Sequence, residues 1–161
     1  MRVQLDESSL IHASTDFWEQ MLAMTLRQVP IRDRFCVGAR HLLGSVKLAG
    51  VWKGRIEVRL TEGLAYRATA AMLMLPLETV AEADTLDATK EIANMIAGAI
   101  KSSLPRPCTM TVPDAQVEAA DFCDFSRTEE TLTVAFQHDD GGMMVRVCEQ
   151  EYAEQASDLA A

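Results

Sequence analysis

The sequence contains no closely spaced cysteine pair. Its four cysteines are Cys36, Cys108, Cys123 and Cys148. None lies two residues from another, and none has a histidine at ligand spacing, so the spacing indicates neither a zinc site nor a redox pair. We expect all four to be reduced structural thiols, and we expect neither thiol chemistry nor a metal bound by this chain to be needed for its function.

Basic residues are scarce. The chain has 15 Lys and Arg against 24 Asp and Glu, which gives a formal net charge of −9. Proteins bind a phosphate backbone through clustered Lys and Arg. The composition therefore argues against nucleic acid as a partner.

Long apolar runs are also absent. The longest, Ala70–Leu77, falls far below the roughly 20 residues that span a bilayer, and Met1–Leu10 lacks the basic region and apolar run of a signal peptide. We expect a cytoplasmic protein without a membrane segment. Hydrophobic residues still make up 48% of the 161 residues, enough to bury a core, so we expect one domain over residues 1–161 with an acidic tail from about Glu151.

Apolar residues at helical spacing occur in three stretches. The first has Ser8 or Ser9 as a candidate N-cap and precedes Pro30, which would stop a helix. The predicted helices cover residues 8–27, the segment from Thr61 to Pro76, and the segment from about Asp84 to Leu104.

A period of two marks the strands. Residues 37–60 read as a hairpin that turns at Gly50–Gly54, residues 108–119 as short strands, and residues 132–147 as a hairpin that turns at Asp139–Gly142. Strands in hairpins with helices in a separate block predict an α+β fold, in which helices pack on one face of an antiparallel sheet.

Histidines and acidic turns suggest no further site. His12, His41 and His138 lie in separate elements, and no motif gives them a serine or cysteine partner. Asp139–Gly142 has acids and glycines but lacks the alternating oxygen ligands of a calcium loop. We therefore expect no catalytic triad, and a plain hairpin turn at Asp139–Gly142.

Four residues of the third predicted helix fall within about 60° of one another on a helical wheel. They are Asp87, Glu91, Asn94 and Gly98. The residues expected to form the core stripe opposite them are Ile92, Met95, Ile96, Ala99 and Ile100.

These four residues have an ordinary interpretation and a functional one. As a solvated face, the row would have Asp87 in the first turn, where the helix dipole favours acids. Against this, asparagine is a mediocre helix former, and Gly98 costs roughly 1 kcal/mol relative to alanine. The glycine is explained equally well by the close approach of a partner's backbone and by a helix crossing inside the fold.

The segment TLDATKEIANMIAGAIKSSLP resembles the signature of the CheC, CheX and FliY phosphatases. That signature has an acidic residue or serine, three residues, glutamate, two residues, asparagine and, further on, proline. Asp87, Glu91 and Asn94 match it, with Pro113 as the downstream proline a few residues earlier than usual. GSVKLAGVWKGRIEVRLTEGLAYRATAAML is similar to the strand, turn, strand and helix that precede the motif in CheX-like chains, so the resemblance covers about residues 35–150.

The resemblance is to the single-site, CheX type, because the first helix has Glu19 but Leu22 where a second asparagine would stand. It implies a phosphatase that dephosphorylates an aspartyl-phosphorylated response regulator, CheY or a related receiver domain. Asn94 would orient the attacking water and Glu91 would pair with a receiver lysine. The receiver would supply Mg²⁺, with no cofactor bound by this chain.

The partner-binding surface would comprise Asp87, Glu91 and Gly98. The resemblance also implies a homodimer, since CheX protomers exchange strands and an unpaired sheet edge would otherwise be exposed. Two alternatives stay open: a receiver-binding adaptor without hydrolysis, and a dimeric structural domain that shares only the fold. The presence of both Glu91 and Asn94 favours the enzyme.

Overall fold

The chain is described by a computed structural model over residues 5–31, 40–119 and 131–150. In chain order the elements are α1 (Glu7–Leu22), β1 (Arg27–Val29), β2 (His41–Gly50), β3 (Gly54–Thr61), α2 (Glu62–Leu73), a 3-10 turn (Leu77–Thr79), α3 (Glu82–Lys101), β4 (Cys108–Met110), β5 (Asp114–Glu118), β6 (Thr131–His138) and β7 (Gly141–Glu149).

The seven strands form one antiparallel sheet in the order β1-β6-β7-β3-β2, with β4 and β5 both paired to the remaining edge of β2. Alternate residues of β2, such as Leu42, Val46 and Leu48, are buried in the same core as the helices. All three helices therefore pack on one face, which confirms the predicted α+β class.

The first helix differs most from its prediction. Asp6, not Ser8 or Ser9, is the N-cap, and its carboxylate accepts a hydrogen bond from the Ser9 backbone N–H at 2.7 Å. The helix ends at Leu22, because Ala23 adopts a left-handed conformation (φ 52°). Arg27, the last residue of the predicted helix, instead begins β1, which pairs with β6; three residues of local sequence do not signal this pairing.

The two predicted hairpins are present. In β2–β3 the chain turns between Gly50 and Gly54, as expected. In β6–β7, His138 pairs with Gly141 across a two-residue turn. Thr61 caps α2 as predicted and its Oγ1 also accepts from the Gly142 N–H at 3.1 Å, which ties the start of α2 to this turn.

The edge formed by β4 and β5 is interrupted by a β-bulge. Leu48 pairs with Met110 and Ser45 with Asp114, so three residues oppose two on β2. Pro113 lies in the bulge, a position that proline tolerates because it has no N–H to contribute to the ladder. The alternation predicted through Val112 is therefore broken, and this residue is 88% exposed.

Several sequence predictions fall on residues that lie outside the described ranges. These are Cys36, Val37, Cys123 and the acidic tail from Glu151. Within the described ranges, no helix has both the length and the apolar character needed to cross a bilayer.

Candidate functional site

Helix α3 is held close to the sheet at Gly44 of β2. A Cβ atom at this glycine would lie 2.9 Å from the Ala93 Cβ and 2.9 Å from the Thr89 carbonyl oxygen. Such distances are shorter than packed side chains tolerate, so only glycine permits this approach. Asn94 follows Ala93 directly, and the contact therefore fixes the base from which Asn94 projects.

The side of α3 that faces the sheet is not quite the predicted one. Ile92, Ile96 and Ile100 are buried as expected, but Met95 and Ala99 are exposed. Ala93 and Ala97 lie in the packed face instead. They fit there because α3 lies too close to β2 at Gly44 for a large side chain. The residues buried along α3 are Thr85, Ala88, Thr89, Ile92, Ala93, Ile96, Ala97 and Ile100.

Asp87, Glu91, Asn94 and Gly98 form one line along the outer side of α3, called the α3 row below. Asp87 and Glu91 are exposed, and Asn94 and Gly98 are partly exposed. Within the part of the chain that the structure describes, none of their side chains makes a hydrogen bond or an ion pair. The row thus presents carboxylates and a carboxamide that the fold itself does not use.

The first-turn explanation of Asp87 is wrong, because α3 begins two residues earlier than predicted. Glu82 and Asp84 occupy the first turn, and the Asp84 carboxylate accepts from the Ala81 backbone N–H at 3.1 Å. Asp87 lies beyond the turn where the helix dipole acts strongly. Its presence on the row is therefore not accounted for by helix capping.

Gly98 faces open space. A Cβ added there would meet no atom within 4 Å. A helix crossing inside the fold is thereby excluded among the described residues as the reason for this glycine. Approach by a partner, the other explanation open at the sequence level, stays a prediction.

Asn94 carries a further signal that the motif analysis did not use: it is the only asparagine in the 161 residues. It sits in the middle of a helix, where its propensity is poor. Met95, beside it, is 41% exposed and adds apolar surface next to the polar row. Together they give α3 an outer side with a polar centre and an apolar flank.

A cleft of about 530 Å³ opens at the C-terminal end of α3. Its walls are Gly98, Lys101 and Ser102 on one side and residues 106–109 on the other. Gly98 belongs both to the α3 row and to the cleft, so the two are continuous. The sequence analysis missed the cleft. The cleft forms between the end of α3 and the loop that follows it, and helical spacing does not predict the path of that loop.

A second group of polar residues, missed from the sequence, lies on the face of the sheet opposite the helices. We call His41, Glu57, Arg59 and Glu118 the strand cluster. Arg59 Nη1 forms an ion pair with the Glu57 carboxylate at 3.0 Å, and Arg59 Nε donates a hydrogen bond to Glu118 at 3.4 Å. His41 Nε2 and Glu118 Oε2 are 2.5 Å apart. Except for Glu118, these residues are buried.

The electrostatics of the strand cluster favour the charged form of the Glu118 carboxylate. Burial opposes ionisation of Glu118, but the hydrogen bond with His41 and the charge of Arg59 outweigh it and hold the pKa of Glu118 below its usual range. The signal that could have found the cluster is a run of charged residues, Arg55, Glu57 and Arg59, at alternate positions of one strand.

The cysteines and the other histidines do not assemble a catalytic group among the described residues. Burial, together with the nearby Glu57 carboxylate, raises the pKa of the Cys148 thiol, which disfavours the reactive thiolate. His138 interacts with Asp140 in the β6–β7 turn, and His12 is exposed on α1. Leu22, at the position of a possible second asparagine, packs against the core.

No cluster of three or more His, Cys, Asp or Glu side chains arranged to hold a metal ion occurs within residues 5–31, 40–119 and 131–150. The α3 row has only two carboxylates, Asp87 and Glu91, on successive turns. The carboxylates of the strand cluster, Glu57 and Glu118, are paired with Arg59 and His41. Chemically, the row can orient a water molecule through the Asn94 amide and attract a cation through Glu91 and Asp87.

One protein-family model matches more than half of the chain. The family model described as "Chemotaxis phosphatase CheX" matches residues 42–137, which include all of α3. A comparison with curated protein sequences finds no match.

Solved structures share the fold. The chemotaxis protein CheX from Vibrio vulnificus superposes with a TM-score of 0.71 at 16% identity, covering 93% of this chain and 100% of that one. A CheC-like superfamily protein from Shewanella sp. PV-4 gives 0.71 at 18% identity, covering 89% and 96%. A chain in the CheX–CheY–BeF3–Mg complex from Borrelia burgdorferi gives 0.66 at 17% identity, covering 92% and 100%.

Proposed function

We propose that this chain, which belongs to the CheX family of chemotaxis phosphatases, removes phosphate from the aspartyl-phosphorylated receiver domain of CheY or a related response regulator. The observation that carries the proposal is the α3 row: a glutamate and the chain's only asparagine, one turn apart on an outer helix face, with no internal partner among the described residues.

In this proposal Asn94 positions the water that attacks the phosphoryl group. An aspartyl phosphate is already a reactive acyl phosphate, so what a second protein can add is a well-placed nucleophile. A neutral carboxamide can hold a water molecule without repelling the phosphoryl oxygens. No nucleophile from this chain is required, which agrees with the raised pKa of Cys148.

Glu91 serves a different purpose. Its carboxylate would repel phosphoryl oxygens if it lay as close as Asn94, so it is better suited to bind a cation beside the phosphorylation site, such as a receiver lysine. Asp87, one turn earlier, extends the acidic part of the surface. Gly98, one turn after Asn94, lets the partner's backbone lie against the helix.

The metal that neutralises charge in phosphoryl transfer would be Mg²⁺ on the receiver domain, and not on this chain. The complex from Borrelia burgdorferi contains a CheX protein together with CheY, BeF3 and Mg. It supports a receiver domain as the partner to test first.

The decisive experiment follows phosphate loss from receiver domains phosphorylated with acetyl phosphate, with CheY of the source organism first. Wild-type protein should accelerate the loss. Asn94→Ala should reduce the single-turnover rate by about 10²-fold while affinity changes little, because the lost interaction matters mainly in the transition state. Gln116→Ala, an exposed carboxamide on β5, is the matched control and should retain the full rate.

Binding of the receiver domain can be followed by NMR at the side-chain amide of Asn94. Since Asn94 is the only asparagine, selective ¹⁵N-asparagine labelling gives a single side-chain NH₂ signal, seen as one pair of cross-peaks in the ¹H–¹⁵N NMR spectrum. That signal should shift on addition of beryllofluoride-loaded receiver. A shift without any hydrolysis would replace the phosphatase by the adaptor, and wild-type hydrolysis by Asn94→Ala would refute the assignment of this residue.

Homodimer formation through the sheet edges is also proposed here, on the resemblance alone. The described edges do not favour it by themselves, since β1 has three residues and β4–β5 is broken by the bulge at Pro113. Light scattering at micromolar concentration would decide, and a monomer mass would count against the dimer.

A further inference from the structure

The charge along the outer side of α3 changes sign from one end to the other. The row starts with the two carboxylates of Asp87 and Glu91, with Lys90 beside them, whereas Lys101 lies at its far end. Lys101 is seven residues after Asn94, so it lies on the same side of the helix and about 10 Å further along the axis. The row therefore runs from carboxylates, through Asn94 and Gly98, to a cation.

A second cation from outside the helix joins Lys101. Arg106, in the loop after α3, lines the same cleft of about 530 Å³. The helix dipole explains a lysine in the last turn, but it does not explain an arginine beyond the helix. In a chain of net charge −9, this cleft is lined by two cations and no carboxylate.

Neither cation is used inside the described structure. Lys101 and Arg106 make no side-chain hydrogen bond or ion pair with any described residue. Other arginines in the same ranges do have carboxylate partners: Arg40, Arg55, Arg59 and Arg67. The charges of the cleft are thus available to a group from outside.

Where the cleft meets the α3 row, at Gly98, its surface is accessible to a partner. Gly98 has no neighbour within 4 Å of its Cβ position, so a partner covering Asn94 can continue over Gly98 without steric obstruction. Ser102 and Thr109 add hydroxyl groups to the lining, although both already donate to backbone carbonyls. The strongest feature the cleft can offer is its positive charge.

We propose that this cleft binds an acidic side chain of the same receiver domain whose phosphorylated aspartate faces Asn94. The inference rests on the proposed function for the identity of the partner. It adds a second contact point, about 10 Å along α3 from the catalytic asparagine, which selects receivers with an Asp or Glu at the matching distance from their phosphorylation site. Glu91 and the cleft then recognise opposite charges on one surface.

The test compares two double variants of equal charge. Lys101→Ala/Arg106→Ala removes both cations of the cleft. Arg27→Ala/Lys47→Ala removes one arginine and one lysine from strands β1 and β2, neither of which lines the cleft. Each is titrated with beryllofluoride-loaded CheY at low and high salt, and each is assayed for KM and kcat with CheY phosphorylated by acetyl phosphate.

The cleft variant should raise both the dissociation constant and KM about tenfold at low salt, with kcat unchanged and a shallower salt dependence than wild type. The strand variant should change either constant by less than twofold. Lys101→Arg/Arg106→Lys, which keeps both charges, should bind almost as wild type does. Equal affinity and equal salt dependence of the two alanine variants would overturn the proposal.

The outcomes also separate this inference from the proposed function. If wild type binds CheY without hydrolysing its phosphate, the phosphatase proposal fails, and the cleft stands if its variant still binds more weakly. If wild type hydrolyses and the cleft variant binds normally, the cleft alone fails. If wild type binds no receiver domain, both fail.

Discussion

The α3 row and the strand cluster use the same kinds of side chain in opposite ways. In the strand cluster, Glu57 and Arg59 are almost fully buried and each has a partner within hydrogen-bonding distance. In the α3 row, Glu91 and Asn94 have no partner among the described residues. A buried charge without a partner is costly, so charges inside the fold are paired, whereas an exposed group is solvated without a protein partner and is available to another molecule. Contacts, more than residue type, separate structure from function here.

The largest expected effect is on the strand cluster. Arg59→Ala leaves two carboxylates without their shared cation, and we expect it to lower the free energy of unfolding by about 3–5 kcal/mol. Urea denaturation measures this loss. Lys47→Ala, on an exposed part of β2, should stay within about 0.5 kcal/mol of wild type. A loss below about 1 kcal/mol for Arg59→Ala would show that the cluster is not structural.

On the α3 row, we expect Glu91→Ala to lower the affinity for the receiver domain and to leave the stability of the fold almost unchanged. Stability should stay within about 0.5 kcal/mol of wild type, because the exposed Glu91 side chain makes no hydrogen bond or ion pair with any described residue. Affinity for beryllofluoride-loaded receiver should fall by about 2 kcal/mol, or roughly thirtyfold, since a receiver lysine loses its anchor. Titration calorimetry measures the affinity, and Glu78→Ala, an exposed glutamate on the 3-10 turn, serves as control. Unchanged binding would contradict the anchor role.

The two regions should also differ in pH dependence. Because the pKa of Glu118 is lowered in the folded state, its stabilising contribution is complete above the unfolded value of about 4.3 and is lost as pH falls through the folded pKa. The stability difference between wild type and Glu118→Gln should therefore be largest at neutral pH and shrink on acidification below about pH 4. Urea midpoints across this range test it. A difference that does not change with pH would contradict the proposed ion pairing.

The smallest effect is expected at Gly98, where stability and binding should move in opposite directions. Gly98→Ala should stabilise the helix by about 0.5–1 kcal/mol, because alanine is the better helix former and its methyl group meets no neighbour. Receiver binding should weaken, since the methyl group occupies the space of the approaching partner. Ala99→Gly, on the exposed side of the same turn, should lose similar stability without affecting binding. Tighter binding by Gly98→Ala would exclude close approach.

Local sequence was sufficient where one periodicity or one cap decides the structure. The alternation in β2, β3, β6 and β7 and the Thr61 cap predicted the hairpins and the start of α2. The helical wheel placed Asp87, Glu91, Asn94 and Gly98 on one side of α3, since a spacing of 3.6 residues holds whatever the helix packs against.

Tertiary structure decided what local sequence leaves open. The wheel predicted Met95 and Ala99 as core, but the close contact of Gly44 with Thr89 and Ala93 turns a face of alanines toward the sheet. Likewise, β1 exists through pairing with β6, and the bulge at Pro113 through its register with β2.

The features of the candidate site also divide into those that follow from local sequence and those that depend on tertiary structure. The sequence by itself determined which groups line α3, because side-chain identity and helical spacing are local properties. Only the tertiary structure decided that Gly98 faces open space, that Lys101 and Arg106 share a cleft beside it, and that Glu118 is held by His41 and Arg59. The open space at Gly98 and the contacts of Glu118 depend on how segments far apart in the chain pack. The cleft depends on the path of the loop after α3, which helical spacing does not specify.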